Sequence, residues 1–155
     1  MILLTVGTQL PFDRLVKAAD AFAATSSETL LGQIGKTGYV PKYFRHVPSL
    51  APSEFEDFFS KARVIVGHAG IGTILAAQRH QKPLILFPRQ ERFREHRNDH
   101  QIATCRQVSG KRGIYIALDE KELQDILNSE LLPYTNDQAS GRQELISNLQ
   151  SFLMR

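Results

Sequence analysis

The sequence predicts an α/β fold of the Rossmann-like class, a parallel sheet with helices on both faces. Short apolar runs alternate with stretches of helical periodicity along the chain, which is the pattern of strands joined by crossover helices. Glycine-containing turns follow two of the apolar runs, where ligands bind in this class. The length of 155 residues suits one domain and leaves little room for a second. We therefore expect residues 1–155 to form a single domain.

Six segments are predicted to be strands, because each is short, apolar or aromatic, and most are closed by glycine or proline. In chain order they are residues 2–6, 29–34, a short strand within 38–47, then 64–66, 84–87 and 113–118. The run at 64–66 (Val-Ile-Val) is the clearest buried strand, since it has no polar side chain.

The segments between the strands have apolar residues at helical spacing, so we expect helices there. They are residues 11–23 opened by Pro11, 53–59 with Ser53 as N-cap, 74–80 ended by Lys82-Pro83, about 99–108, and about 120–127 capped by Asp119. A connector at 131–141 then leads to an amphipathic helix at 142–153. That last helix either packs on its own domain or docks a partner.

Composition excludes several classes of function. The formal net charge is only +3 and the basic residues are scattered, so nucleic-acid binding is not indicated. Cys105 is the only cysteine; no internal disulfide is possible, and we expect this thiol to be packed rather than reactive. No secretory signal is evident, and no stretch approaches the roughly 20 apolar residues of a membrane span.

The turn at residues 67–73 is the strongest candidate for a binding site. Gly67, Gly70 and Gly72 lie between a buried strand and a helix. Glycine there lets backbone N–H groups approach an anion, and the helix N-terminus adds unpaired N–H groups and a partial positive charge. Thr73 can add a hydroxyl, so a diphosphate is the expected guest. The alternative is a tight strand-to-helix turn that binds nothing, because lone glycine patterns have many false positives.

Polar residues at other strand ends are weaker candidates. Thr8 and Gln9 follow the first strand at Gly7, and either contact a ligand or form a polar loop. The run from Arg89 to Arg97 is a solvated mixed-charge loop or a phosphate-facing one. Asn98, His100 and Gln101 then open a helix. Amide side chains there suit sugar hydroxyls, but Asn98 or Asp99 also suits helix capping.

Metal and covalent chemistry are not indicated. His96 and His100 are four residues apart, yet no third ligand is evident in the sequence. No Ser-His-Asp or Cys-His set stands out. His68 lies within the glycine turn and either contacts the ligand or hydrogen-bonds the backbone; a general-base role is the less favoured alternative.

Three groups of motifs, in order along residues 1 to about 127, resemble the Alg13-like proteins. The first is Val6-Gly7-Thr8-Gln9 with Phe12-Asp13 and Gln33-Ile34-Gly35. The second is Gly67-His68-Ala69-Gly70-Ile71-Gly72-Thr73 with Lys82-Pro83-Leu84-Ile85 and Pro88-Arg89. The third, Glu95-His96-Arg97-Asn98-Asp99-His100-Gln101, is similar to the bacterial exopolysaccharide branch of that family. The combination is specific, whereas each motif alone is not.

The resemblance implies the C-terminal half of a GT-B glycosyltransferase, the half that binds a UDP-sugar. It implies inverting hexosyl transfer to a polyprenyl-diphosphate-linked saccharide, with no metal and no cofactor. A membrane-anchored Alg14-like subunit is expected to bind the acceptor and to supply the base, and to hold this chain at the inner face of the membrane. The implied donor-binding residues are Gly7, Thr8, Gln9, His68, Ala69, Gly70, Gly72, Thr73, Arg89, Asn98, His100 and Gln101.

One departure from the family pattern keeps an alternative open. Many relatives have a ribose-binding Glu seven residues before the Pro that starts the next strand, and here that position is Ala76. The chain is therefore either a donor-binding subunit or a non-catalytic companion of a partner glycosyltransferase. A free-standing NAD or flavin protein is disfavoured, because no G-x-G-x-x-G follows the first strand. For a heteromeric enzyme, we expect an exposed apolar patch near the donor cleft.

Overall fold

The computed structural model describes residues 1–7, 10–135, 149–151 and 153. Its strands are β1 (Ile2–Thr5), β2 (Leu30–Gln33), β3 (Arg45–Val47), β4 (Val64–Gly67), β5 (Leu84–Leu86) and β6 (Ile114–Ile116). Its α-helices are α1 (Asp13–Thr25), α2 (Pro52–Lys61), α3 (Ile71–His80), α4 (His100–Val108) and α5 (Glu120–Leu127), with a 3₁₀ turn at Glu91–Phe93. The predicted alternation of strands and helices is confirmed.

The six strands form one sheet in the order β3-β2-β1-β4-β5-β6, and every pairing is parallel. The strand order reverses between β1 and β4, which lie side by side with Thr5 opposite Gly67. A crevice opens at such a reversal, beyond the carboxyl ends of the strands. This carboxyl edge is therefore the expected place for a ligand.

Helices cover both faces of the sheet, because successive strand residues point to opposite sides. Ile2 and Leu4 pack with residues of α1 and α5 on one face. Leu3 and Ile65 pack with residues of α2, α3 and α4 on the other. Both cores consist of fully buried aliphatic and aromatic side chains, so both faces of β1 and β4 are apolar, as the continuous apolar runs predicted.

Several predicted boundaries were wrong. α3 begins at Ile71 with Gly70 as its N-cap, three residues before the predicted start, so Gly72 and Thr73 belong to the helix. α2 begins at Pro52 after an extended Ala51, not at a Ser53 cap, because proline is pre-organised for the first helical position. The Asp119 cap is confirmed: its carboxylate accepts a hydrogen bond from the Glu122 backbone N–H at 2.8 Å.

The terminal helix predicted at 142–153 lies mostly outside the described residues. Of it, residues 149–151 and 153 are described and helical. Leu149 is buried in the core of its own domain, on the face of α2, α3 and α4. Leu153, in contrast, is exposed. Within the described part of the chain, every helix is too short or too polar to cross a bilayer.

Candidate functional site

Two cavities lie at the carboxyl edge of the sheet, beside the point where strand order reverses. The first, the β1 cavity, has a volume of about 280 Å³ and is lined by Val6, Gly7, Leu10, His68, Arg89, His96 and Gln101. The second, the α3 cavity, has a volume of about 540 Å³ and is lined by His68, Ala69, Gly70, Ile71, His96, His100, Gln101, Thr104 and Leu153. His68, His96 and Gln101 line both, so the two cavities share one wall.

The first turn of α3 is the clearest anion-binding element of this edge. The N–H of Gly70 donates to the His68 carbonyl at 2.8 Å, and that of Ile74 donates to Gly70 as the first bond of the helix. The N–H groups of Ile71, Gly72 and Thr73 therefore remain without an acceptor among the described residues. A Cβ added at Gly72 would meet nothing within 4 Å. An anion can thus approach three unused donors and the positive end of the helix dipole.

The imidazole of His68 separates the two glycine turns. A Cβ added at Gly70 would lie 2.5 Å from His68 Nε2, and one added at Gly7 would lie 3.2 Å from the same ring. Gly7 also has a φ of +81°, which disfavours any side chain there. The missing side chains at Gly7 and Gly70 therefore make room for the His68 ring, in addition to any ligand.

Burial holds His68 neutral. Burial lowers the pKa of His68 to about 4, with a further contribution from the neighbouring positive charge of Arg89. Its Nδ1 is buried and makes no hydrogen bond to the described residues, and the same holds for Nδ1 of His96. A base with so low a pKa accepts a proton weakly near neutral pH. The site therefore offers polar ring atoms rather than a strong base.

Arg89 connects the first glycine turn to the β5–α4 segment, defined here as residues 87–99. Its guanidinium donates to the carbonyls of Val6 at 2.6 Å, Leu10 at 2.8 Å and Pro11 at 2.9 Å. It also lies over the ring of Phe12, 4.6 Å from the centroid. These backbone acceptors occupy most of its donors, so Arg89 shapes the β1 cavity; direct ligand binding by Arg89 stays a prediction.

The side chain of Gln101, like that of Arg89, connects two backbone segments. Its Oε1 accepts hydrogen bonds from the N–H of Ala69 at 3.2 Å and of Arg89 at 2.9 Å. One oxygen thereby joins the turn after β4 to the segment after β5. Because that oxygen already has two donors, the side-chain amide nitrogen of Gln101 is the group best placed to meet a sugar hydroxyl in the cavities.

The structure brings together seven of the predicted residues as cavity lining: Gly7, His68, Ala69, Gly70, Arg89, His100 and Gln101. Gly72 and Thr73 lie in the first turn of α3 instead. Asn98 lines neither cavity; its Oδ1 accepts from the N–H of His100 at 3.1 Å, which is the capping alternative. Thr8 and Gln9 lie outside the described residues.

Sequence reasoning missed the ion pair that holds the β5–α4 segment. The buried carboxylate of Glu95 accepts two hydrogen bonds of 2.9 Å from the guanidinium of Arg14, and one of 3.0 Å from the N–H of Gln90. Arg14 lies 81 residues earlier in α1. A mixed-charge run gives no indication of such a distant partner, so the pair was not predictable.

The remaining predictions concern Cys105, the apolar rim and metal binding. Cys105 is buried, and burial raises the pKa of its thiol to about 12, as expected for a packed residue. Exposed Leu10 lines the β1 cavity, and exposed Phe93 lines a neighbouring cavity together with Pro11; a continuous apolar patch near the cleft stays a prediction. In the described residues, no group of three or more His, Cys, Asp and Glu side chains is placed to hold a metal ion.

The parallel six-stranded sheet and its covering helices define a Rossmann-like α/β domain. This domain matches the C-terminal halves of GT-B glycosyltransferases. The chain belongs to the glycosyltransferase family 28 C-terminal domain family, whose pattern it matches over residues 1–152. No curated protein sequence matches it significantly.

Three solved structures illustrate the similarity. The glycotransferase of kitacinnamycin superposes with a TM-score of 0.57 at 19% identity, covering 99% of this chain and 39% of that one. ALG13 superposes with a TM-score of 0.64 at 16% identity and covers 93% of both chains. SnogD from Streptomyces nogalater superposes at 0.52 with 18% identity, covering 97% of this chain and 37% of SnogD. The chain thus spans about two fifths of the kitacinnamycin glycotransferase and of SnogD, and nearly all of ALG13.

Proposed function

We propose that this chain is the donor-binding subunit of a split, inverting glycosyltransferase and binds a UDP-sugar at the carboxyl edge. The observation behind the proposal is the first turn of α3, where the N–H groups of Ile71, Gly72 and Thr73 are unused at the edge of the α3 cavity. A diphosphate fits such donors because it is doubly charged and can accept several hydrogen bonds at once. The α3 cavity, with the β1 cavity across their shared wall, leaves space for the attached sugar.

The proposed chemistry is transfer of a hexosyl group to a polyprenyl-diphosphate-linked saccharide. An acceptor hydroxyl attacks the anomeric carbon, its proton passes to a base, and the bond from that carbon to the UDP oxygen breaks. The charge that grows on the departing UDP is stabilised by the α3 amides, which is preorganised electrostatic catalysis. No metal or cofactor is required in this scheme.

The acceptor half is proposed to lie on a membrane-anchored, Alg14-like partner at the inner face of the membrane. Two observations support a partner: the chain is similar to ALG13 over 93% of both chains, and His68, with a pKa of about 4, is a poor base. An exopolysaccharide pathway remains the proposed setting, on the motif from Glu95 to Gln101.

A charge placed in the first turn of α3 tests the site directly. In Gly72→Asp, the new carboxylate would occupy the open space next to the free N–H groups and repel the diphosphate. We expect UDP affinity, measured by isothermal titration calorimetry, to fall at least about tenfold. Stability should stay the same or rise slightly, because an acidic residue is favourable at a helix N-terminus.

Gly72→Asn is the matched control, since it has nearly the same shape and no charge. It should keep most of the UDP affinity. Equal loss in both variants would indicate a steric effect and contradict the proposed electrostatic contact. Hexosyl transfer is then measured with the partner subunit present over a panel of UDP-sugars.

A non-catalytic companion role is the second candidate, and the observation that favours it is Ala76. This residue is buried in α3 and has no polar atom to hold a ribose diol. If the chain binds no UDP-sugar, alone or with its partner, yet raises the partner's activity, the companion role is the correct one.

A further inference from the structure

The loop between β2 and β3, residues 34–44, presents the two most exposed large hydrophobic side chains in the described part of the chain. Val40 is 66% exposed and Tyr43 is 61% exposed. Neighbouring Phe44, in contrast, packs into the core. The loop therefore has an inner apolar anchor and an outer apolar surface, and only the outer one lacks a partner.

Two carboxylates of α1 fix the shape of this β2–β3 loop. The buried Asp20 accepts hydrogen bonds from the Tyr39 hydroxyl at 2.6 Å, the Tyr43 N–H at 2.8 Å and the Lys42 N–H at 3.1 Å. Asp13 accepts from the Thr37 hydroxyl at 2.9 Å and the Gly38 N–H at 3.0 Å. Since these contacts hold both ends of the loop tip, the outward position of Val40 and Tyr43 is built into the fold.

The same segment is positively charged. Residues 34–47 contain Lys36, Lys42 and Arg45 and no Asp or Glu, and all three cations are exposed. The chain has nineteen Lys and Arg and sixteen Asp and Glu. Without these three cations the remainder would balance at sixteen of each, so this segment accounts for the whole formal net charge. The adjacent Asp13 and Asp20 are both engaged by donors of the loop.

The loop begins beside the candidate site and ends at the opposite edge of the sheet. It leaves the carboxyl end of β2, where a Cβ added at Gly35 would lie 3.3 Å from the Gly7 carbonyl. Gly7 in turn lines the β1 cavity. Because β2 and β3 are parallel, the loop then runs back along the sheet and enters β3 at its amino end, at Arg45. Only the first residues of the loop thus lie near the β1 cavity, and the rest lies at the end of the sheet that β3 forms.

From the exposed Val40 and Tyr43 and the acid-free cluster of Lys36, Lys42 and Arg45, we propose that the β2–β3 loop docks onto an anionic membrane surface. Lysine and arginine near a bilayer are attracted by anionic headgroups, and tyrosine is favoured at the boundary between headgroups and acyl chains. A protein partner fits less well, because lysine is depleted in protein interfaces. The inference does not depend on which nucleotide the neighbouring site binds.

Sedimentation of the full chain with lipid vesicles tests this inference. We expect binding to vesicles that contain phosphatidylglycerol, weakening as salt is added, and little binding to pure phosphatidylcholine. Reversing two charges in the double variant Lys36→Glu, Lys42→Glu should lower the vesicle affinity by at least about 25-fold, since each basic residue contributes roughly fivefold. The double variant Val40→Ser, Tyr43→Ser should lower it by about tenfold through lost apolar contact.

The matched control is the double variant Lys61→Glu, Lys111→Glu. It makes the same change in net charge outside the β2–β3 loop. Lys61 ends α2 just before β4, and Lys111 precedes β6, which lies at the other end of the sheet from β3. This control should keep most of the vesicle affinity. Circular dichroism and UDP titration of every variant separate loss of folding, and loss of the proposed donor site, from loss of membrane contact.

Three outcomes would overturn the inference. The first is absence of salt-sensitive binding to anionic vesicles by the unaltered chain. The second is an equal loss of affinity in the loop variants and in the Lys61→Glu, Lys111→Glu control, because net charge rather than the loop would then be responsible. If the loop variants instead bind vesicles normally and lose affinity for the acceptor subunit, the loop is a protein-docking surface and the membrane assignment is wrong.

Discussion

The β5–α4 segment and the β2–β3 loop both follow the carboxyl end of a strand and both contain charged residues, but the charges have different roles. In the β5–α4 segment, Arg89 and Glu95 point inward and are occupied by backbone groups and by Arg14. In the β2–β3 loop, Lys36 and Lys42 point outward, and the carboxylate that fixes the loop, Asp20, belongs to another element. Arg89 and Glu95 thus hold the β5–α4 segment from within, whereas the lysines of the β2–β3 loop are exposed at the surface.

This difference shows that composition does not determine whether the charged side chains of a loop are buried or exposed. The outcome depends on whether another element offers a side chain of opposite charge within hydrogen-bonding distance. α1 holds both loops, through Arg14 for the Glu95 carboxylate and through Asp20 for backbone N–H groups of the β2–β3 loop. The β5–α4 segment lines the β1 cavity through Arg89 and His96, whereas the β2–β3 loop approaches it at Gly35, next to the Gly7 carbonyl.

Breaking the Glu95–Arg14 pair should have the largest effect on stability. Glu95→Ala leaves the Arg14 guanidinium without its bidentate acceptor and the Gln90 N–H unpaired. We expect the free energy of unfolding, measured by urea denaturation, to fall by about 3 kcal/mol. Glu95→Gln keeps an acceptor oxygen and should lose less.

The exposed pair of Asp57 and Lys61 is the comparison for this experiment. Asp57→Ala should lower the free energy of unfolding by no more than about 0.5 kcal/mol, because exposed i,i+4 pairs are weak. If Glu95→Ala and Asp57→Ala have similar effects, the β5–α4 segment is not held from within and the contrast between the two loops fails.

The pH dependence of stability should reveal the titration of His68, whose pKa is lowered by burial and by the nearby charge of Arg89. The folded pKa of about 4 lies below the usual 6.5, so the unfolded chain binds an extra proton between these values. Stability is therefore complete above pH 6.5 and declines as the pH falls toward 4, by on the order of 2 kcal/mol. Urea denaturation across this range measures the decline.

His68→Asn is the control for that pH profile, because it has a polar side chain of similar size that does not titrate. Its unfolding free energy should change less between pH 6.5 and pH 4. A wild-type profile that is flat over this interval would mean that the imidazole is solvated, and the shared wall of the two cavities would then be open to water.

The architecture was largely predictable from the sequence, because buried apolar runs and glycine or proline at their ends are local features. All six strands lie within or close to the predicted segments. The start of α3 was misplaced because the glycines at 70 and 72 suggested a turn. In the structure the helix begins at Ile71 without a side-chain cap, so no capping residue in the sequence marks its start. The glycine turn was predicted as a site, yet the roles of its neighbours were not.

Those roles depend on contacts between distant residues. The guanidinium of Arg89 donates to the carbonyls of Val6 and Leu10, more than 75 residues earlier in the chain, and its contact with a ligand stays a prediction. The oxygen of Gln101 joins two backbone segments, and its contact with a sugar likewise stays a prediction. Neither periodicity nor composition indicates such pairings, because they depend on which strands become neighbours in the sheet, as β1 and β4 do.

Neutralising Asp20 should release the β2–β3 loop at moderate cost. Burial raises the pKa of Asp20, but hydrogen bonds from the Tyr39 hydroxyl and the N–H groups of Tyr43 and Lys42 outweigh it, so the pKa lies below 3.8. Asp20→Asn should lower the free energy of unfolding by about 1–3 kcal/mol at neutral pH. The contribution of the carboxylate is present above pH 3.8 and is lost as the pH falls through the folded pKa.

Hydrogen exchange of the backbone N–H groups of Lys42 and Tyr43 is the specific measurement for this variant. Their exchange should speed up in Asp20→Asn, while protection of β1 and β4 should change little beyond the global loss of stability. Unchanged exchange at both amides would show that the Asp13 contacts and the packing of Phe44 hold the loop without Asp20.

The smallest expected effect comes from Arg94, which ends the 3₁₀ turn with a φ of +58°. A non-glycine residue in this region is strained by roughly 1–2 kcal/mol, while glycine adds some entropy to the unfolded chain. Arg94→Gly should therefore raise the free energy of unfolding by about 0.5 kcal/mol. It also removes an exposed cation from the β5–α4 segment, so its affinity for anionic vesicles separates the two loops. Unchanged affinity supports docking through the β2–β3 loop, whereas a loss of roughly fivefold, the contribution of one basic residue, would extend the membrane contact to the β5–α4 segment.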